Sequence, residues 1–328
     1  MKLYDDQLIV ITGGVGFIGS CLVRHLNDLG IYNLILVDEL GTTEKWKNLI
    51  GKRFVDALDK NQLFDWLDGK EALIKAIIHL GACTTTIETN ASYLLENNYR
   101  YSKKLAEFAF KHEKRFIYAS SAATYGDGAL GFADDPDKLD SLRPLNMYGL
   151  SKHMFDVWLK NEGLLHKATG LKFFNVFGPN ESHKGRMASA IAHMVPTIHQ
   201  KGSFQLFKSN DLKNFSDGEQ CRDFVYVKDV VKMIYTFLLN DATGIYNIGT
   251  GKPGTWNELA KAVFKALHIP PKIEYIPMPA DLNGKYQNYT CADMKKTISV
   301  LGDAAKSTPL EEAVSDYIRN YLVPGHIW

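Results

Sequence analysis

The glycine-rich segment TGGVGFIG, residues 12–19, constrains the fold of this chain more than any other feature. It follows a short β-branched run at 8–12 and leads into residues 17–29, whose apolar positions recur with the period of a helix. A second apolar run at 33–37 completes a βαβ unit. Glycine lets a backbone approach a pyrophosphate at a helix N-terminus, so Gly13, Gly16 and Gly19 predict a dinucleotide-binding turn.

Strand-like and helix-like segments continue to alternate after this unit. Strands are predicted at 76–80, 115–120 and 171–176, and helices at 93–112 and 151–162. This alternation predicts an α/β fold in which a doubly wound parallel sheet of the Rossmann type is accompanied by a smaller α+β lobe.

The chain is longer than one hydrophobic core usually serves, because it has 328 residues. We predict a dinucleotide-binding domain at 1–176, to which 223–249 returns, and a substrate-binding lobe made of 177–222 and 250–328. A ligand cleft between the two is then expected.

Charge and cysteine usage exclude several classes of partner. The chain has 38 Lys and Arg residues against 37 Asp and Glu residues, which leaves no global field for nucleic acid or an anionic membrane. The four cysteines are scattered without a CxxC pair, so no disulfide framework or metal site is predicted. The apolar run near the N-terminus is too short for a signal peptide or a membrane span, and we expect a cytoplasmic protein.

Asp38 ends the second predicted strand, 19 residues after Gly19, where a carboxylate can bind the adenosine ribose. Three bases follow it: Lys45, Lys52 and Arg53. Any of them could hold a 2′-phosphate, although at least two are expected on the solvated surface. The choice between NAD and NADP stays open, with NADP slightly favoured.

Tyr148 and Lys152 are four residues apart, so on a helix they share one face. We expect the ammonium of Lys152 and a positive nicotinamide ring to lower the pKa of the phenol, which could then act as a base. Ser121 follows a predicted strand at the sheet edge where ligands bind, and its hydroxyl can orient a reacting oxygen.

Three motifs in this order make the chain resemble the extended short-chain dehydrogenase/reductase family: the glycine turn, SSAATYG at 120–126 and YGLSK at 148–152. Within that family, further segments resemble the ADP-L-glycero-D-manno-heptose 6-epimerases nearly end to end. They are 79–84, 97–99, 174–179, 183–189 and 222–227.

The resemblance implies that ADP-D-glycero-D-manno-heptose, a precursor of the lipopolysaccharide core, is inverted at C6″ by transient oxidation and re-reduction with bound NADP. It implies acid–base roles for Tyr148 and Lys184, a ribose contact for Lys152, and a homo-oligomer, a pentamer in that family. Implied cofactor contacts are Phe17, Ile18, Asp38, Glu39, Lys45, Lys60, Leu80, Gly81, Ala82, Cys83, Thr84, Asn97, Lys152, Val176 and Lys184. Implied substrate contacts are Asn175, Arg186, His193, Phe207, Lys208, Ser209, Asn210, Arg222 and Tyr286.

Several alternatives stay open at this stage. From the residues alone, Lys184 could be a base only if burial or neighbouring cations such as His183 and Arg186 depress its pKa, and 183–186 could simply grip a diphosphate. His193 taken alone is more typical of a structural histidine. A galactose-type 4-epimerase and a non-catalytic dinucleotide sensor are competing functions. A 4,6-dehydratase is disfavoured, because residues 122–124 lack its Asp-Glu pair.

The family pattern is broken at Leu80, at Arg186 and in a longer loop before Arg222. The last two fall in the implied sugar site, so the identity of the sugar is less firmly predicted than the cofactor.

Overall fold

The computed structural model describes residues 7–279 and 286–328. Its centre is a seven-stranded parallel sheet, whose strands are β1 (Leu8–Thr12), β2 (Leu34–Asp38), β3 (Asp56–Asp59), β4 (Ile74–His79), β5 (Arg115–Ser121), β6 (Ala168–Phe173) and β11 (Gly244–Ile248). Their order across the sheet is β11-β6-β5-β4-β1-β2-β3.

Three short strand pairs lie outside that sheet. They are β7 (Asn175–Phe177) with β10 (Phe224–Tyr226), β8 (Phe204–Phe207) with β13 (Ile273–Ile276), and β9 (Cys221–Arg222) with β12 (Gly254–Thr255). The α-helices are α1 (Phe17–Asp28), α2 (Leu63–Leu67), α3 (Ala91–Leu94), α4 (Tyr101–Lys111), α5 (Met147–Asn161), α6 (Ala190–Lys201), α7 (Val227–Leu239), α8 (Trp256–Ala266), α9 (Lys295–Leu301) and α10 (Leu310–Tyr317).

Both faces of the sheet are covered, which confirms the predicted doubly wound α/β fold. On one face Val10, Ile35 and Phe116 belong to a buried cluster. On the other face Ile9 and Leu36 belong to a larger cluster, which continues into α7 and α8. Both layers of helices therefore bury apolar strand residues. The carboxyl ends of the strands are not covered by these layers and can form a ligand site. The exact boundaries of the two lobes stay a prediction.

The structure differs from the sequence-based expectation at several elements. β3 carries two aspartates and is largely exposed, so it has no apolar run to identify it. The predicted helix at 93–112 is divided into α3, a π-helical segment at Leu95–Arg100 and α4. α5 begins before the predicted start because the side chain of Asn146 caps it, accepting a hydrogen bond from the Gly149 N–H at 2.8 Å.

In the part of the chain that the structure describes, none of the helices has the length and apolar character required to cross a membrane.

Candidate active site

A cavity of about 900 Å³ lies at the carboxyl ends of the sheet strands. Such an edge is where open α/β sheets bind ligands. The positions predicted to bind the cofactor all line it: Gly13, Gly16, Phe17, Ile18, Gly19, Asp38, Glu39, Lys45, Lys60, Leu80, Gly81, Ala82, Cys83, Thr84, Asn97, Lys152, Val176 and Lys184. Ser121, Tyr148 and Asn175 line the same cavity.

The glycine turn is packed backbone against backbone. Gly13 has a φ of +68°, and a Cβ built on it would lie 2.7 Å from the Gly81 nitrogen. A Cβ on Gly19 would lie 2.0 Å from the Gly13 carbonyl oxygen. A side chain at Gly13 would therefore displace the turn from the loop that follows β4, and a side chain at Gly19 would displace the turn from the start of α1.

The buried side chain of His79 contacts Thr12 at the start of this turn. His79 was not singled out from the sequence. Its Nδ1 lies 2.6 Å from Thr12 Oγ1, and its Nε2 lies 2.8 Å from Ser102 Oγ. Ser102 donates its own proton to the Asn98 carbonyl, so His79 carries its proton on Nε2 and accepts from Thr12. Burial, with a smaller contribution from Lys152, lowers the pKa of His79 to about 3 and keeps the ring neutral.

Two acidic residues at the end of β2 are each paired with a lysine. Asp38 accepts a hydrogen bond from the Val15 N–H at 3.0 Å and forms a salt bridge with Lys45 at 2.5 Å. Glu39 pairs with Lys60 at 2.6 Å, and Lys60 also donates to Asn97 Oδ1. Acceptors for a ribose and cations for a phosphate thus share this end of the cavity.

The other two bases predicted for a 2′-phosphate lie elsewhere. Lys52 is buried and donates to the Trp328 carbonyl at 2.6 Å, and burial lowers its pKa to about 8. The expectation that at least two of the three bases lie on the solvated surface is therefore wrong, because Lys52 is buried and Lys45 lines the cavity. The Arg53 guanidinium is exposed and stacks on the Tyr32 ring at 3.9 Å. Neither base lines the cavity.

Tyr148 and Lys152 project from α5 toward the end of β5. The Ser121 hydroxyl is hydrogen-bonded to the Tyr148 phenol. Lys152 Nζ donates to the Ala119 carbonyl at 2.9 Å. Asn98, which no sequence pattern singled out by itself, exchanges two hydrogen bonds of 2.9 Å with the Cys83 backbone and so fixes the neighbouring loop.

The pKa values of these groups differ from the sequence-based expectation. Burial raises the pKa of Tyr148, and the hydrogen bond from Ser121 opposes this only in part. Lys152 is directed at the Ala119 carbonyl and does not contribute to the pKa of the phenol in the protein alone. Burial lowers the pKa of Lys152 itself to about 8, although Asp156 opposes that shift. The phenol is therefore protonated at neutral pH until further positive charge arrives.

Lys184 enters the cavity from the 3₁₀ segment Ser182–Met187, and its Nζ lies 5.3 Å from the centre of the Phe17 ring. Burial lowers the pKa of Lys184, against the raising effect of Glu181. Among the residues that the structure describes, Lys184 forms no salt bridge. Of the two causes that the sequence left open for a lowered pKa of Lys184, burial or the neighbouring cations His183 and Arg186, the structure supports burial.

His183 lies beside Lys184 and also lines the cavity. Burial, followed by the nearby charges of Lys45 and Lys184, lowers its pKa to about 4. Its Nδ1 is 3.3 Å from the Asn48 side-chain nitrogen, so the ring accepts a hydrogen bond in its neutral form.

Most of the predicted substrate contacts lie outside the lining of this cavity, and Asn175 is the exception. Arg222 stacks on the Tyr286 ring at 4.9 Å and on Trp256 at 5.8 Å, and Trp256 belongs to the lining. The structure therefore brings Arg222 and Tyr286 to the cavity border. The remaining predicted contacts are Arg186 and His193, both exposed, and Phe207, Lys208, Ser209 and Asn210, which end β8 and begin the following loop.

The chain has close relatives among known proteins. Residues 9–249 match the NAD dependent epimerase/dehydratase family. A protein of Nitratidesulfovibrio vulgaris named ADP-L-glycero-D-manno-heptose-6-epimerase is 48% identical over 318 residues, covering 96% of this chain and 98% of that protein. A protein of Fusobacterium nucleatum with the same name is 46% identical over 327 residues, with the same coverage.

Solved structures show the same fold. The crystal structure of the ADP-L-glycero-D-manno-heptose-6-epimerase of Helicobacter pylori has a TM-score of 0.78 and 28% identity, and the match covers 98% of this chain and 99% of that chain. A UDP-N-acetylglucosamine 4-epimerase of Methanobrevibacter ruminantium has a TM-score of 0.77 at 24% identity, covering 98% of this chain and 100% of that chain. The second likeness bears on the fold alone.

Proposed function

Because this chain belongs to the NAD dependent epimerase/dehydratase family, we propose that it is a nucleotide-sugar epimerase that inverts C6″ of ADP-D-glycero-D-manno-heptose. The relatives at 46–48% identity support this substrate. The observation that carries the chemistry is that Tyr148, Lys184 and Ser121 line one cavity together with the glycine turn, although they come from distant stretches of chain.

The residues at the sheet edge fit a nicotinamide dinucleotide. The glycine turn leaves the N–H groups at the start of α1 free of side chains, and Asp38 and Lys152 stand where the two riboses are expected. When bound, this cofactor supplies the reversible removal and return of a hydride at C6″.

The protein's own groups would handle the protons. The Tyr148 phenol exchanges a proton with the reacting oxygen, and the Ser121 hydroxyl orients that oxygen by a hydrogen bond. Inversion requires a second acid–base group for the opposite orientation, and Lys184 suits this role because burial lowers its pKa toward neutrality. Lys152 would bind the nicotinamide ribose.

We propose NADP as the cofactor, with NAD as the alternative. Lys45 and Lys60 support NADP because they bring two cations to the end of the cavity where the adenosine ribose is expected. Lys45→Ala should weaken NADP binding by about tenfold and leave NAD binding nearly unchanged. Arg53→Ala is the matched control, since it removes an exposed base outside the cavity. Equal effects of Lys45→Ala on both dinucleotides would favour NAD.

We assign the substrate diphosphate to Arg222 and Asn175, with Tyr286 beside Arg222. Arg222 supports this role because guanidinium groups pair bidentately with phosphate. Arg186, His193 and residues 207–210 stay predicted substrate contacts. The proposal extends to a cytoplasmic homo-oligomer that makes a lipopolysaccharide precursor, and native mass measurement tests the oligomer.

The decisive experiment is incubation of the purified protein with ADP-D-glycero-D-manno-heptose while the C6″ proton is followed by NMR. We expect conversion to a mixture of the two epimers, which Lys184→Met should slow by about two orders of magnitude or more. Lys295→Met, at a lysine side chain that is 92% exposed, is the control. Conversion of UDP-galactose instead would support a 4-epimerase. Absence of any inversion with bound dinucleotide would support a sensor.

A further inference from the structure

One face of α5 carries three polar side chains at intervals of four residues: Tyr148, Lys152 and Asp156. The first two belong to the proposed acid–base and ribose site. Asp156 lies one turn deeper, is fully buried and is not among the residues that line the cavity. A buried carboxylate is costly unless its oxygens are satisfied, so its partners indicate its role.

Asp156 has three partners on two strands of the sheet. It accepts hydrogen bonds from the Tyr118 hydroxyl at 2.8 Å and the Ser120 hydroxyl at 2.7 Å, both on β5. It also forms a salt bridge of 2.6 Å with Lys172 on β6, and both side chains are almost completely buried. Asp156 thereby ties α5 to the strand that ends in Ser121.

Lys172 extends this connection to the serine itself. Its ammonium donates to Thr124 Oγ1 at 2.6 Å, and the Thr124 hydroxyl donates to the Ser121 carbonyl at 2.8 Å. Lys152 Nζ binds the Ala119 carbonyl on the same strand. Tyr118, Ser120 and Ser121 of β5 are thus held by groups that the buried ion pair connects, and Ala119 between them is held by Lys152.

We propose that Asp156, acting through Lys172 and Thr124, is a positioning residue that fixes Ser121 relative to Tyr148 and Lys152. It does not touch the cavity, so it acts through these residues and not on the substrate. This inference rests on the proposed epimerase function, since it concerns the same site.

The charge of Asp156 has a second effect, on Lys152. Asp156 is the charged group that acts on Lys152, and it lies on the same helix as Tyr148. His79 on β4 also faces Lys152, since the charge of Lys152 lowers the pKa of that histidine. His79 is neutral because its pKa is about 3, and Tyr148 is protonated at neutral pH. Burial lowers the pKa of Lys152 to about 8, and the negative charge of Asp156 opposes this shift. Asp156 is therefore the group that helps Lys152 to keep its proton.

The test compares three variants at the buried pair. Asp156→Asn removes the charge but leaves Lys172 unpaired. Asp156→Asn combined with Lys172→Met removes both charges, so that no unpaired cation is left in the core to destabilise the fold. Asp156→Glu keeps the charge. Asp140→Asn is the matched control, because Asp140 pairs with Lys160 of the same helix at a partly exposed position.

For Asp156→Asn, alone or combined with Lys172→Met, we expect kcat to fall about 10- to 100-fold with little change in KM. The alkaline limb of the kcat profile should move about one pH unit lower, because Lys152 loses its proton more easily. Asp156→Glu should restore the limb, and Asp140→Asn should leave it in place. A limb that stays in place while kcat falls, or an unchanged kcat, would overturn the proposal.

Cofactor binding separates this inference from the proposed function. The dissociation constant of NADPH is measured by fluorescence against pH, without any sugar. If the wild-type protein fails to invert the heptose, the proposed function fails, yet the pH dependence of NADPH binding still reports on Lys152. A shift of this dependence to lower pH in Asp156→Asn supports the electrostatic role of Asp156, and its absence refutes it.

Discussion

The contact between Gly19 and Gly13 makes Gly19→Ala the sharpest test of the glycine turn. The added Cβ would lie 2.0 Å from the Gly13 carbonyl oxygen, about 1 Å closer than the 3.0 Å that side-chain carbons respect. Alanine in a helix is favoured over glycine by about 1 kcal/mol, whereas overpacking against an unyielding backbone costs about 1–3 kcal/mol or more. The clash should therefore outweigh the gain in helix propensity.

The turn can relieve the clash only by moving away from α1, which withdraws the N–H groups expected to bind the pyrophosphate. If about 3 kcal/mol is lost, NADP binding weakens about 100-fold. Fluorescence titration with NADPH measures this change, and urea unfolding measures the accompanying loss of stability.

Two glycine variants calibrate the result. A Cβ on Gly16 would lie 3.2 Å from the same oxygen, so Gly16→Ala should give an intermediate loss of affinity. Gly30 ends the same helix with a φ of +78° and nothing within 4 Å, so Gly30→Ala should cost about 1 kcal/mol of stability and no affinity. Wild-type NADPH affinity in Gly19→Ala would refute the close approach of the turn to the cofactor.

Three further predictions concern single side chains. Tyr148→Phe should lower kcat, followed by NMR, by about 10²- to 10⁴-fold, while the NADPH dissociation constant, measured by fluorescence, stays within about threefold. Retained turnover would exclude the phenol as an acid–base group. The pKa of His79 falls from 6.5 in the unfolded chain to about 3 in the folded protein, so the unfolded chain binds more protons between these values. The contribution of His79 to the free energy of unfolding is therefore fully present above pH 6.5 and should fall by about 3 kcal/mol at pH 4. Urea unfolding at a series of pH values measures this fall, and His79→Gln should remove part of it. Lys52→Met should change the urea midpoint but not NADPH affinity, because Lys52 binds the Trp328 carbonyl and not the cavity; a weaker affinity would contradict this placement.

The sequence predicted the central sheet and the cavity lining well, for a physical reason. A glycine turn between a strand and a helix has few geometric solutions, and parallel strands bring their carboxyl ends to one edge. Ser121, Tyr148 and Asp38 follow or face that edge, so their meeting in one cavity could be expected from local patterns.

What the sequence could not supply were tertiary contacts of long side chains. Lys45 and Lys52 look alike in the chain, yet one pairs with Asp38 and the other is buried against Trp328. The raised pKa of Tyr148 in the protein alone could not be predicted, because the direction of Lys152 depends on the Ala119 carbonyl of β5. Asp156 was missed because its partners on β5 and β6 are hydrogen-bonded to it only once the sheet has formed.

The position of β11 at the sheet edge has a consequence for biosynthesis. β6 is fully buried in the finished protein, and its outer neighbour β11 arrives about 70 residues later in the chain, at Gly244–Ile248. While the ribosome makes the intervening segment, the outer edge of β6 has unpaired backbone N–H and C=O groups, which are a template for pairing with another nascent chain. Truncations before residue 244 should therefore precipitate during expression, and chaperone demand should be greatest in that interval.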